Sequence, residues 1–380
     1  MKTRLSKISV NVSIMILIFF AILAIFAPFL ANDKAILCKD VDGLHFPVVS
    51  GQKCEQPEFS LQPFLKYHYS GIDPQNAAFI SPLTDQHLQP GQQRHYLGTD
   101  RIGRDVAAGM IHASRVAILT GTGSMVIALL IGLLIGLTGA YFGNDQLSIT
   151  RRSAMIGLLS IFLGTFLVYY RKYFSGNFSQ VLFTLLIFMM GLVLADGVLK
   201  RLKPFRKRFK LPLDMMFSSF IEIFQSLPAS FLVLVLVSLF TKASLYNVIL
   251  IIGLLRWPSI ARFARAEMLK IKEQRYIEAA RAIGMSDLRI IVRHALPAVM
   301  TPVIVAVAFG FSSSILLESA LSFLGIGLPA DHVSFGSLLS EARKNYEAWW
   351  LVVFPGFAIF CLVFAMNTLG DHVSRLMERK

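Results

Sequence analysis

Very little of this sequence is equipped for chemistry. Charged residues fill only 16% of its 380 positions, 23 of them are acidic, and cysteine and tryptophan occur three times each. No G-x-x-x-x-G-K-[ST] loop is present, so the chain cannot cradle the phosphates of ATP by that device. Neither H-E-x-x-H nor G-x-S-x-G occurs, the eight histidines are scattered, and no metal-ligand spacing is found. An intramembrane enzyme would lack both a nucleophile–base pair and a metal constellation.

What is abundant is apolar. Hydrophobic residues make up 55% of the chain, phenylalanine alone occurs 31 times, and the mean hydropathy is +0.61. Several continuous apolar runs exceed the length needed to cross a bilayer. They exclude a transmembrane β-barrel, whose strands alternate in polarity. The fold class is therefore an all-α polytopic membrane protein. The net charge of +14 is explained by basic residues gathered in short loops on one side of the membrane, not by nucleic acid.

Taken in order, Lys2, Arg4 and Lys7 precede an apolar run over 10–31. The layout is that of a signal peptide, but the run is long and Phe29 spoils a small-x-small cleavage site, so a retained first span is expected. Residues 32–100 form a polar loop with eight acids to five bases, an extracytoplasmic composition. Cys38 and Cys54 share this loop, and in an oxidising compartment they can form a disulfide. A second span is expected over 116–142, with Gly132, Gly136 and Gly139 spaced for close helix packing. Two further runs, 153–169 and 181–199, precede the segment 200–210, in which seven of eleven residues are basic. Such a cluster marks the cytoplasmic side.

The next spans are expected over 214–240, kinked at Pro228, and over 245–261, interrupted by Pro258, with Arg256, Arg262 and Arg265 emerging inside. A helix over 267–275 leads into the segment 276–297, and the following span runs from Pro297 to about Ser319. Residues 330–348 form an outside loop with a surface helix. Trp349 and Trp350 mark the interface before a last span over 351–369. Glu222 is either a pathway residue or a carboxylate solvated near the cytoplasmic end. Glu318 either faces a polar translocation cavity or sits at the outer interface.

The segment 276–297 organises the rest. It is charged, lies between two apolar runs, and begins as an amphipathic helix. Gly284 falls where a left-handed C′ residue is wanted, and Ser286 can cap a second helix. Pro297 opens the next run where a missing N–H costs little. Ala279 and Ala280 are small enough to admit another backbone. Without a partner, the segment would be an interfacial helix and nothing more.

Glu278, Ala279, Ala280, Gly284, Leu296 and Pro297 stand in the register of the signature loop of ABC-transporter permease subunits, which this segment resembles. His294 departs from the pattern at a position that is usually aliphatic. Leu97, Gly98, Thr99, Asp100, Gly103, Arg104 and Asp105 resemble the segment before the second span in the dipeptide and oligopeptide (peptide/nickel) group. More specifically, they match the C-type half of its paired permease. Asp100, Arg101, Arg104 and Asp105 read as an ordinary surface ion-pair cluster.

The resemblance implies an ABC importer permease fold of six core spans, here with an inserted pair. The chain then divides into 1–31 (N-terminal stub and first span), 32–100 (extracytoplasmic loop), 101–143 (second-span region), 144–212 (inserted hairpin with its basic segment) and 213–380 (permease core). It also implies a multi-pass inner-membrane protein with both termini cytoplasmic, in which 276–297 is a coupling helix docked on an ATPase. The chain would be no enzyme and bind no cofactor itself; ATP–Mg would sit on two ATPase subunits. A second permease subunit and an extracytoplasmic substrate-binding protein would complete the assembly. Peptides are the implied solute. Nickel chelates, another small solute, or a non-transporting receptor on the same scaffold remain open at this stage.

Overall fold

The structure, a computed structural model, describes residues 2–40, 43–50, 59–90, 92–145, 148–150, 156, 160, 208–240, 243–329 and 332–377. Two units are distinguished, Met1–Leu137 with Ile221–Lys380, and Thr138–Phe220. The expected runs 153–169 and 181–199, and Cys54, lie outside the described residues apart from residues 156 and 160.

Among the described residues, five helices are long and apolar enough to cross a membrane: Ile8–Leu30, Val106–Phe142, Leu245–Ile271, Asp287–Phe323 and Trp350–Met377. We number the helices α1 (Lys2–Leu30), α2 (Val106–Phe142), α3 (Leu213–Ser226), α4 (Ala229–Ser238), α5 (Leu245–Ile271), α6 (Arg275–Ala282), α7 (Asp287–Ile290), α8 (Leu296–Phe323), α9 (Phe335–Ala342) and α10 (Trp350–Met377). Helices α3 and α4 meet at 91° and together are either a broken span or a re-entrant loop. The break is sharper than the expected kink. Pro228 has extended backbone (φ −57°, ψ 129°), and its ring disfavours helical geometry at Leu227.

In the larger unit, α8 lies at the centre, packed on α5 and α10, while α10 also packs on α1. Helix α2 meets α5 through small residues. A Cβ on Gly132 would lie 2.7 Å from Ile260 Cβ, and one on Gly136 would lie 2.5 Å from the Ala261 carbonyl oxygen. Lipid offers no hydrophobic drive to bring helices together, so such backbone approach supplies dispersion contact that bulkier residues would block. The expected packing role of these two glycines is thus seen directly.

Three further expectations are corrected. Helix α5 is not interrupted at Pro258, nor is there a separate helix over 267–275. One helix runs to Ile271, with Pro258 buried inside it, where neighbouring helices shield the freed backbone group. Helix α8 does not begin afresh at Pro297. Residues Ile291–Ala295 form a π-helical turn, with Leu296 N–H bonded to the Ile291 carbonyl. That widened turn carries a continuous path from Asp287 into the proline, accommodating its missing N–H and its ring.

The expected surface helix after residue 330 is α9, and its apolar face is buried. Phe335, Gly336, Leu338 and Ala342 pack inward, and Ser334 and Ser337 close a reciprocal capping box. Trp350 is 3% exposed, so it is no interface anchor.

The loop after α1 is more than irregular chain. Strands β1 (Leu37–Asp40), β2 (Gly43–His45) and β3 (Phe59–Leu61) form an antiparallel sheet in the order β2-β1-β3, pairing Cys38 with His45 and with Ser60. In the smaller unit, β4 (Ser148–Thr150) pairs antiparallel with β5 (Arg208–Lys210), and Lys210 reaches Asp145 at 2.7 Å.

Candidate functional site

The segment between α5 and α8 is built by its caps. The Gly284 N–H donates to the Arg281 carbonyl and the Met285 N–H to the Ala280 carbonyl, the two bonds of a Schellman ending for α6. Gly284 takes φ +79°, and a Cβ there would meet nothing within 4 Å. The chain itself therefore needs glycine at this position for backbone conformation and not for space. Ser286 stands at the N-cap of α7, but its side chain makes no capping bond, a correction to its expected role.

The segment has two faces. Ile277, Ala280, Ile290, Ile291 and Ala295 are buried against the bundle. On the other side Tyr276, Ile283, Leu288 and Val292 are 46%, 77%, 72% and 53% exposed. Glu278, Ala279 and Gly284 share that open side, Leu296 is half-buried and Pro297 is exposed. The two alanines thus have different surroundings: Ala280 packs within the chain, and only Ala279 is left open to another backbone. Four large apolar side chains on a segment of this length form the kind of patch that marks an interaction surface. His294 is half-buried, and its Nε2 has no hydrogen-bond partner among the described residues.

A second cluster, at the start of α2, corrects the expectation of a surface ion-pair group. Asp100 and Asp105 are both 2% exposed. The Asp100 carboxylate accepts hydrogen bonds from the Ile102 and Arg104 backbone N–H groups at 3.0 and 2.9 Å and from Arg104 Nε at 2.6 Å. Gly103 turns the chain at φ +86°, and a Cβ there would collide with the Asp73 carbonyl. Thr99 Oγ1 donates to the Asn76 carbonyl at 2.7 Å, and the Thr99 carbonyl accepts from Trp350 Nε1 at 3.1 Å. Leu97 and Gly98 lead into this knot, where the Gly98 carbonyl accepts from the Val106 N–H. The start of α10 is thereby fastened to the segment that starts α2.

Asp105 caps α2, accepting from the Ala108 N–H at 2.6 Å, and its other oxygen bonds His95 Nδ1 at 2.8 Å. His95 Nε2 faces Asp73 at 3.4 Å, and Tyr67 stacks on the imidazole with ring centroids 4.2 Å apart. Burial alone would lower the His95 pKa, but the bonds and charges of Asp105 and Asp73 outweigh it and hold it above the usual histidine value. Burial also works to raise the Asp73 pKa. Hydrogen bonds from Asn76, His95 and the Gln75 N–H overcome that effect and keep it below the ordinary aspartate value. Tyr67 is pushed up to about 12 by burial, then by the charges of Asp105 and Asp73.

His95, Asp73, Asn76 and Trp350 went unremarked as partners in the sequence. Only Asp73 carried a local signal, an acidic residue before Pro74 that caps the short helix Pro74–Asn76. The rest are joined across up to 251 positions, and no spacing rule reaches that far.

Glu318 is fully buried in α8 and accepts from Ser322 Oγ at 2.7 Å and Ser319 Oγ at 3.3 Å, so it neither faces a cavity nor sits at the outer interface. Glu222 is exposed near the end of α3. Cys38 is disulfide-bonded and Cys361 carries a free thiol. Among the described residues, no group of three or more His, Cys, Asp or Glu side chains is placed to hold a metal ion. Arg256, expected to emerge at the end of its span, instead lies in the middle of α5.

Among the described residues, five continuous helices apolar enough to span a bilayer, with an amphipathic helix exposed between two of them, define a multi-pass membrane protein. Residues 187–380, just over half the chain, match the family described as "Binding-protein-dependent transport system inner membrane component". The protein belongs to that family, the permeases of ABC importers, and is a multi-pass protein of the inner membrane. A putative peptide transport system permease protein of Brucella suis is 29% identical over 292 residues, covering 77% of this chain and 75% of that protein. The di/tripeptide transport system permease protein DppC of Pseudomonas aeruginosa is 28% identical over 294 residues, with the same coverage of each. The oligopeptide transport system permease protein OppC of Haemophilus influenzae is 34% identical over 168 residues, 44% of this chain and 54% of its own. Among solved structures, a chain of the MetNI methionine ABC transporter in inward-facing conformations has a TM-score of 0.43 at 14% identity, covering 70% of this chain and 96% of that one.

Proposed function

We propose that this permease imports di- and oligopeptides across the inner membrane by alternating access, driven by ATP hydrolysis on separate ATPase subunits. In this reading the segment 276–297 is the coupling helix. Tyr276, Ile283, Leu288 and Val292 enter a groove of one ATPase, with Glu278, Ala279 and Gly284 on the same side. Two ATPase subunits hold ATP–Mg, a second permease subunit pairs with this one, and a binding protein delivers solute from outside. The basic residues at 200–210, 262–275 and 281–293 put the coupling helix and both termini in the cytoplasm, with the loop 32–100 on the other side. Neither nucleic acid nor a metal has a role.

The observation that carries the coupling assignment is the exposed apolar face of α6 and α7 around Gly284, which no described part of the chain covers. Peptides as solute rest on the peptide-transport functions of the Brucella suis and Pseudomonas aeruginosa relatives, each matched over 75% of its length. Force passes between ATPase and spans only through a stiff contact. The Schellman ending supplies it, because both carbonyl groups it satisfies lie in the last turn of α6.

Gly284→Asp tests the assignment. No atom of the chain lies where its Cβ would go, and Asp is among the residues that best tolerate a left-handed backbone. Membrane insertion should therefore persist. A charge placed in the docking groove should lower uptake of labelled di-, tri- and pentapeptides at least about tenfold, to the level of the null strain, in cells lacking other peptide systems. Wild-type uptake in this variant would sink the docking assignment. Uptake unchanged in the null would sink peptides as the solute.

A further inference from the structure

A cavity of about 340 Å³ opens among Met125 of α2, Arg256, Ser259 and Phe263 of α5, and Phe309 and Ser313 of α8. Its walls are apolar apart from two serines and one guanidinium. Arg256 is the twelfth of the 27 residues of α5, roughly 17 Å along the axis at about 1.5 Å per residue. With a hydrocarbon core about 30 Å thick, that is membrane depth. An arginine there is costly and calls for a partner.

The protein supplies only part of one. Nη2 donates to the Ser313 carbonyl at 3.1 Å, while the buried Nε has no partner among the described residues. No described carboxylate pairs with it: Glu318 is engaged by Ser319 and Ser322, and Glu222 is exposed on α3. Beside the guanidinium, Ser259 and Phe263 are exposed, so the cavity has an open mouth. A planar donor fork, one arm tied to backbone and the other unused, in a pocket of low polarity, is suited to a carboxylate.

We infer that Arg256 is a carboxylate-binding subsite on the translocation route, engaging a carboxylate of the peptide as it crosses. This rests on the import reading above. The site also fits the physical demand of transport. One charge-assisted contact among apolar walls holds a solute loosely enough to release it, and recognises a group that every unmodified peptide carries.

The test uses the assembled transporter in nucleotide-free membranes, with Cys361→Ser as background and Ser259→Cys as reporter. Its reaction with an anionic sulfonatoethyl and a cationic trimethylammonioethyl methanethiosulfonate is compared. The anion-to-cation rate ratio should fall on the order of tenfold when Arg256→Gln is added, and should survive Arg256→Lys. A tripeptide with a free C-terminal carboxylate should protect the reporter at a concentration at least about tenfold below that needed by its C-terminal amide. Arg256→Gln should abolish that difference.

An unmoved reagent ratio, or equal protection by acid and amide, overturns the subsite. So does loss of the second permease subunit from Arg256→Gln complexes, because it would assign the guanidinium to a partner's acid. If wild type imports no peptide while the reagent ratio still falls, the import reading fails and the peptide fails as the source of the carboxylate. If uptake is intact in Arg256→Gln while the ratio is unmoved, only the subsite fails.

Discussion

Asp105→Ala is expected to destabilise the permease by about 3–5 kcal/mol, the range for breaking a buried ionic pair by removing one member. Three losses combine. The Ala108 N–H at the start of α2 loses its cap, His95 Nδ1 loses its partner at 2.8 Å, and the imidazole is left buried with Asp73 at 3.4 Å as its remaining acid. Asp105→Asn keeps an oxygen for the cap but replaces the oxygen facing His95 Nδ1 with an amide nitrogen, so only the cap survives and a smaller loss is expected. Heating the purified complex in detergent and following the monodisperse fraction by size exclusion gives the comparison. Equal melting of wild type and Asp105→Ala would show that the cluster does not hold the loop to the spans.

The same cluster carries a pH signature. His95 is held above its usual value, so its contribution is fully present below 6.5 and is lost as pH rises through its folded value. Asp73 is held below its usual value, so its contribution is present above 3.8 and is lost as pH falls through its folded value. The stability advantage of wild type over His95→Gln should therefore be flat up to about pH 6.5 and shrink in more alkaline buffer. An advantage that grows with pH would contradict the assignment of His95 as a bound cation.

Gly136→Leu should be comparably damaging for a different reason. The new Cβ would start 2.5 Å from the Ala261 carbonyl oxygen and 3.0 Å from Ala264 Cβ. The carbonyl belongs to a helix and cannot rotate aside, so α2 and α5 must separate. Overpacking of this kind costs roughly 1–3 kcal/mol, and more where backbone is the obstacle. Because α5 runs to Ile271 and hands the chain to α6 at Arg275, its displacement should lower transport beyond what the loss of stability explains. Leu130→Ala on the same helix, at a position 66% exposed, should stay within about 0.5 kcal/mol of wild type. Measured as complex recovered and as uptake per complex, equal behaviour of the two variants would refute the close packing.

These expectations show how differently the two motif segments were legible. Around Gly284 the chain writes its structure locally. A helix of eight residues, a glycine at its C′ position and a proline after the next turn are short-range signals, and the Schellman bonds span five residues at most. Gly103 and Asp100 likewise form a local turn. The burial of that turn was not legible, because charged residues read as surface until something covers them. Here His95, Asp73 and Trp350 do so from distant positions.

Local pattern by itself determined that this is a polytopic helical membrane protein, roughly where the described spans fall, and which family it resembles. The first two follow from apolar run length and from caps, each an energetic statement about a dozen residues and their solvent, and the resemblance follows from the motifs around Leu97 and Glu278. Tertiary structure alone decided that Asp100 and Asp105 are buried pins, that α9 tucks its apolar face inward, and that α3 and α4 meet at 91°. It also decided that Arg256 lines a cavity among α2, α5 and α8. Each depends on which groups meet across the bundle. Burial and unpaired charge are properties of that meeting, and no window of sequence contains both sides of it.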